Sequence, residues 1–217
     1  MLAGRGGRGP GGCPLAVGRL YFRRMASPQA QAGRRLSYAD YLTWPEGERW
    51  ELIDGAAYAM SPAPTRRHQA ISRELGLQMA TYLKGRDCEV YFAPFDVRLP
   101  DDVAAGDEET WTVVQPDLVV ICDKGKLDEQ GCRGAPDWMI EILSPDSAQR
   151  DLREKLALYE RHAVREYWVV DPTDRVVLTF RLEQGRYGKP VVFGPKDKAV
   201  SVVLPELAVD LEPVFAA

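Results

Sequence analysis

Cysteine is scarce and unpatterned. The four present, Cys13, Cys88, Cys122 and Cys132, show no CxxC spacing, which speaks against a zinc site or a disulfide framework and fits a reducing cytoplasm. No apolar run reaches the roughly 18 to 20 residues needed to cross a bilayer, and "CPLAV" near the start is too short for a signal-peptide core. The sequence therefore predicts a cytoplasmic protein that does not enter membranes. An excess of positive charge is missing as well. The net charge of −4 excludes a surface that is a nucleic-acid footprint throughout, though not a local basic groove. There is no internal repeat and no helix-turn-helix or zinc-finger pattern, so any base specificity has to come from loops or from a partner.

What is present fits one globular domain. A chain of 217 residues with 45% apolar and 28% charged residues can bury a substantial core. The charge is uneven: residues 1–35 hold seven arginines and no acid, so the remainder carries −11 against the total of −4. "GRGGRGPGGCP" is too rich in glycine and proline to pack. Residues 1–35 thus read as a disordered Arg/Gly-rich extension, and 36–217 as a single domain. For the extension three origins stand open: a transit peptide, a basic arm that touches phosphates, or a dispensable stretch ahead of a start at Met25, the last being preferred.

From Leu36 the patterns are those of packed elements. "LSYADYLTWPEG" predicts a short helix capped by Ser37, and "RWELIDGAAYAMSP" two strands around an Asp54-Gly55 turn. Residues 65–84 predict a helix with Ile71, Leu75 and Tyr82 on one stripe and Gly85 as its stop. "CEVYFAPFDVRLP" predicts two strands broken at Pro94. "PDLVVICD" and "PDWMIEILSP" have the length and apolarity of central strands covered on both faces. Residues 147–163 predict a helix with Leu152, Leu156, Tyr159 and Ala163 as its apolar stripe, followed by a strand, "REYWVVDP", and a hairpin. That order implies an α/β or α+β fold, a mixed central β-sheet flanked by helices.

One residue breaks this patterning. Glu141 interrupts the apolar run "WMIEIL", and strand alternation puts it on the face of Met139 and Leu143, opposite Trp138, Ile140 and Ile142. An unpaired carboxylate there costs several kcal/mol or is driven to protonate. Asp117 stands at the mouth of the other apolar strand. Two acids converging from neighbouring strands need a cation between them, and Mg²⁺ suits such oxygen ligands. Lys155 lies about 60° from the middle of the predicted stripe, with Asp151 and His162 on the same flank, so its stem can reach toward Glu141. Spacing alone leaves blander alternatives open: Glu141 half-exposed, Asp117 capping a turn, Lys155 pairing with Asp151 at i, i+4.

The same residues carry a resemblance. "PD", twenty-three intervening residues, then "EIL" with a lysine on the next helix resembles the PD-(D/E)XK superfamily, the restriction-endonuclease-like nucleases. "WELIDGAAYAMSPAPTRRHQ", "APFDVRLP", "QPDLVVICD", "GAPDWMIEILSP" and "REKLALYERHAVREYWVVDP" together look like the Uma family of bacterial restriction endonucleases, over about Leu36 to Phe215. The resemblance implies a restriction-endonuclease-like core with an added N-terminal β-hairpin. It implies Asp117 as the first acid and Glu141 as the second. The lysine expected two positions after the second acid is replaced by Leu143, and Lys155 matches a migrated position. Glu51 resembles an additional early acid, and His68 a recurrent histidine.

The implied function is metal-dependent hydrolysis of DNA phosphodiesters. Glu51, Asp117, Glu141 and Lys155 are the expected catalytic residues. Asp117, Glu141 and the Ile142 carbonyl are expected to hold Mg²⁺ or Mn²⁺, with His68, Arg66 and Arg67 as candidate substrate contacts. His68 packing at the core edge is the plainer alternative. The rival function is an inactive module that keeps the nuclease fold and binds nucleic acid or a protein. A homodimer is expected if two strands are cut, since a two-fold axis supplies two sites.

Overall fold

The computed structural model describes residues 33–45, 47–60, 63–145 and 147–216; the extension predicted for residues 1–35 lies outside them up to residue 32. Its last arginines are engaged with the body, Arg34 with Asp40 at 3.0 Å and Arg35 over the Trp111 ring.

A mixed seven-stranded sheet forms the centre. Its path runs Arg186–Tyr187, Val176–Glu183, Glu166–Asp171, Trp138–Ile142, Leu118–Ile121, Glu89–Phe92, with Val191–Phe193 paired to Val176–Glu183. Glu166–Asp171 runs parallel to Trp138–Ile142, while Leu118–Ile121 runs antiparallel to it. The parallel pair requires a crossover, which the helical segment after Glu141 supplies. Both "PD" strands are fully buried, as their continuous apolarity predicts. Trp138, Ile140 and Ile142 pack with Ile71, Leu75 and Met79 of the helix Arg66–Leu83. Met139 and Leu143 face the opposite core, with Leu158, Tyr159 and Tyr167. Glu141 belongs to this second face.

Local signals act as expected at several elements. Ser37 and Asp40 form a reciprocal capping box on Tyr38–Tyr41. Thr65 caps Arg66–Leu83. Asp54 and Gly55 both adopt positive φ, 53° and 81°, in the two-residue turn between Trp50–Ile53 and Ala56–Ala59, the geometry that right-handed strand twist prefers. That hairpin joins a second, six-stranded sheet with Val113–Val114, Val97–Arg98, Gly131–Arg133 and Leu127–Asp128. Of these, Val97–Arg98 is the second strand predicted beyond Pro94, while the other three are too short to show a period of two in the sequence.

Two expectations are corrected. Residues 147–163 are not one α-helix: Arg150–Lys155 is π-helical and Leu156–Arg161 is α-helical. The buried face is Asp151, Lys155, Leu158 and Tyr159, whereas Leu152 is 37% exposed and Ala163 has left the helix with φ 60°. Charge pairing decides this rotation, because Lys155 finds carboxylates inside. The second correction concerns Cys88 and Cys122, which form a disulfide. They extend the antiparallel register Glu89↔Ile121 by one residue, a neighbourhood that sequence spacing does not reveal. Cys132 is a buried free thiol. Among the described residues no helix is long and apolar enough to cross a membrane.

Candidate active site

The buried charge in Trp138–Ile142 is answered by a buried cation. Lys155 Nζ donates to Glu141 Oε1 at 2.9 Å and to Glu51 Oε1 at 2.8 Å, and lies 3.6 Å from Asp151 Oδ1. All four side chains are almost completely out of water. Glu51 arrives from the second sheet and the other two partners from the central strand and the π-helical turn, so three separate elements converge on one ammonium. The Gln115 backbone N–H donates to Glu51 Oε1 at 3.0 Å, and Tyr159 Oη donates to Glu141 Oε1 at 2.9 Å.

The electrostatics follow from burial and count. Burial pushes the Glu141 carboxyl well above the usual carboxylate range; Lys155 opposes the shift, and Asp151, Asp117 and Glu51 add to it. Burial disfavours the Lys155 ammonium, but Glu141, Glu51 and Asp151 outweigh it and hold its pKa well above that of a free lysine. With every group ionised, three carboxylates face one ammonium, an excess of two negative charges in a dry site.

Asp117 sits beside this cluster. Its Oδ2 accepts the Ile142 N–H at 2.8 Å and meets His68 Nε2 at 3.1 Å. Burial lowers the His68 pKa, yet the Asp117 carboxylate and the Ile142 backbone outweigh it and the net direction is upward. His68 is therefore a hydrogen-bond partner of Asp117. A cleft of about 730 Å³ is lined by Glu51, Asp117, Glu141, Asp151, Lys155 and His68. Arg67 also lines it, whereas Arg66 is exposed and is not among its lining residues.

Sequence reasoning missed part of this wall. Arg49 lines the cleft with its guanidinium held on Gln115 Oε1 at 3.2 and 3.3 Å, and Arg150 lines it with its guanidinium 4.7 Å from the Tyr58 ring centroid. Neither has a local signal, since each is placed by a partner distant in the chain. Asp151 did have one, its i, i+4 spacing to Lys155. Among the described residues no three His, Cys, Asp or Glu side chains stand together as a ready-made metal cage.

Residues 38–212 match the family model Uma2, described as "Putative restriction endonuclease". The chain belongs to the Uma2 family. An uncharacterised protein of Synechocystis sp. is 28% identical over 142 residues, spanning 64% of this chain and 70% of its own. The crystal structure of a "putative nuclease belonging to DUF820" from Anabaena variabilis matches with a TM-score of 0.65 at 24% identity, covering 83% of this chain and 98% of that one. At that identity the likeness speaks to fold alone, a mixed α/β architecture that this Uma2 chain shares with that structure. The matched stretch contains Glu51, His68, Asp117, Glu141 and Lys155.

Proposed function

We propose that this Uma2 protein is a metal-dependent endonuclease that hydrolyses DNA phosphodiesters. The observation that carries the reading is the buried Glu51, Glu141, Asp151 and Lys155 cluster on a cleft shared with Asp117. With every group ionised, its excess of two negative charges is what one divalent cation neutralises. The residues fit such an ion: Mg²⁺ needs only one or two protein carboxylates and keeps several waters, so Asp117, Glu141 and the Ile142 carbonyl suffice without a three-residue cage. When bound, Mg²⁺ or Mn²⁺ supplies polarisation of the scissile phosphate and a lowered pKa for its water.

The chain's own groups do the rest. Lys155 orients the attacking water and offsets the charge that builds on the phosphoryl oxygens. Glu51 fixes the Lys155 ammonium and orients water, and His68 holds Asp117 in place. Arg67, Arg49 and Arg150 meet phosphates along the cleft wall. A two-fold dimer would bring two such sites to two strands.

The test is incubation with supercoiled, linear and single-stranded DNA, and with RNA, in Mg²⁺ or Mn²⁺. Wild type should nick DNA and stop on EDTA addition, and Glu141→Ala should slow cleavage by at least about 100-fold, the scale of losing one preorganised electrostatic group. Equal cleavage by the two proteins would sink the reading. One observation favours a second reading, a non-cutting module that binds nucleic acid or a protein: Lys155 already occupies Glu141, one of the two acids that a metal would use. Absence of Mn²⁺ uptake by calorimetry, with Asp117 and Glu141 intact, would select it.

A further inference from the structure

Among the described residues, Asp151 Oδ1 is the one carboxylate oxygen of the cluster that is fully buried without a hydrogen-bond partner. The Asp151 side chain is 3% exposed. A buried acceptor left this way costs about 1–3 kcal/mol, and native structures rarely keep one without a reason. The nearest cation is Lys155 Nζ, at 3.6 Å, and the same ammonium spends two of its three N–H donors on Glu51 and Glu141. Asp151 lies on the π-helical turn Arg150–Lys155, the kind of local distortion that clusters at working sites. The Tyr167 hydroxyl anchors that turn through the Asp151 carbonyl at 3.1 Å.

These distances conflict with a static site. A divalent ion on Glu141 would lie beside the Lys155 ammonium, and like charges at that range repel strongly in a dry cleft. The ammonium needs somewhere to go. A shift of under ~1 Å brings it from 3.6 Å to hydrogen-bonding distance of Asp151 Oδ1, and the flexible lysine stem permits it.

We propose that Asp151 is a positioning residue that receives the Lys155 ammonium when a divalent cation takes Glu141, so that the lysine is moved aside without leaving the site. This rests on the metal-binding part of the proposed function and adds to it a two-position lysine. Asp151 itself holds neither the ion nor the substrate.

The experiment is calorimetric titration of wild type, Asp151→Asn, Lys155→Met and the double variant with MnCl₂ alone, with no nucleic acid present. Wild type binds. Asp151→Asn binds about 10-fold to 100-fold more weakly, the scale of losing a supporting partner behind a metal ligand. In the Lys155→Met background the same change has less than a twofold effect, because the group Asp151 acts through is gone. If wild type takes up no Mn²⁺, the metal reading itself fails. If wild type binds and Asp151→Asn binds equally, only the positioning role fails. An equal loss in both backgrounds overturns it too, by showing that Asp151 acts on the ion directly. Should Lys155→Met not fold, ¹⁵N-lysine NMR decides with Mg²⁺: the Lys155 Nζ resonance shifts on titration in wild type and shifts less in Asp151→Asn, and equal shifts refute the proposal.

Discussion

Lys155→Met is expected to melt roughly 10 °C below wild type at pH 8, from a loss of about 3–5 kcal/mol and a shift of a few degrees per kcal/mol for a chain of this size. The change keeps the volume of the buried stem and removes only the charge. What it leaves is the expensive arrangement: Glu51, Glu141 and Asp151 buried together with no ammonium among them. Replacing a whole buried ion pair by apolar residues is often tolerated, whereas removing one partner strands the other. The pH dependence follows from the direction of the Glu141 shift. Its folded pKa is raised, first by burial, so its contribution to stability is complete below the unfolded value and is lost as pH rises through the folded one. Without Lys155, which opposes both shifts, the Glu141 and Asp151 carboxyls are pushed further up and the window widens. The melting difference between variant and wild type should therefore shrink steadily as pH falls toward 5. Scanning calorimetry across pH 5 to 8 checks this, and a difference that stays constant, or a melting point within 2 °C of wild type at pH 8, contradicts it.

The same cluster shows where sequence reading works and where it stops. Glu141 was conspicuous because a strand apolar on both faces admits no charge without a partner, and alternation alone assigned it to the face of Met139. Lys155 followed from helical geometry and from resemblance. The orientation of its helix did not. Taking Leu152, Leu156, Tyr159 and Ala163 as the buried stripe assumes that apolar residues win the inside, and here an ammonium with two hydrogen-bonded carboxylates outcompetes Leu152. Glu51 illustrates another limit. Its hairpin was legible from the Asp54-Gly55 turn, but its approach to Glu141 depends on how two sheets meet, which no local pattern encodes. Asp117 pairs with His68, whereas for Glu141 the cation is, within the protein itself, the Lys155 ammonium. That finding narrows the metal question to whether a further divalent charge enters beside it. The Cys88–Cys122 pairing is non-local in the same way, fixed by the register of two strands.

Gly131→Ala tests how far the site depends on distant backbone. Gly131 has φ 121°, and a Cβ added there would overlap the Asp96 carbonyl oxygen, which is backbone and cannot swing aside. Backbone strain and overpacking together cost about 4 kcal/mol, enough to lower the melting point by roughly 10 °C. The same Asp96 carbonyl accepts the Cys132 N–H at 2.9 Å, so the ladder between Gly131–Arg133 and Val97–Arg98 is pushed apart at its end. The disturbance has a route to the site. The Asp96 carboxylate holds the Gln115 side chain at 2.8 Å, and the Gln115 N–H holds Glu51 Oε1 at 3.0 Å. A displaced Asp96 should thus loosen Glu51 on Lys155 and reduce the proposed DNA cleavage even below the melting transition. Gly134→Ala separates the two causes. Gly134 has φ 94° but open space where a Cβ would stand, so it carries the strain without the overlap and should cost only about 1–3 kcal/mol, with cleavage unchanged. Equal melting points for the two variants would show that the close approach to Asp96 contributes nothing, and that the route from the Gly131 turn to Glu51 does not exist.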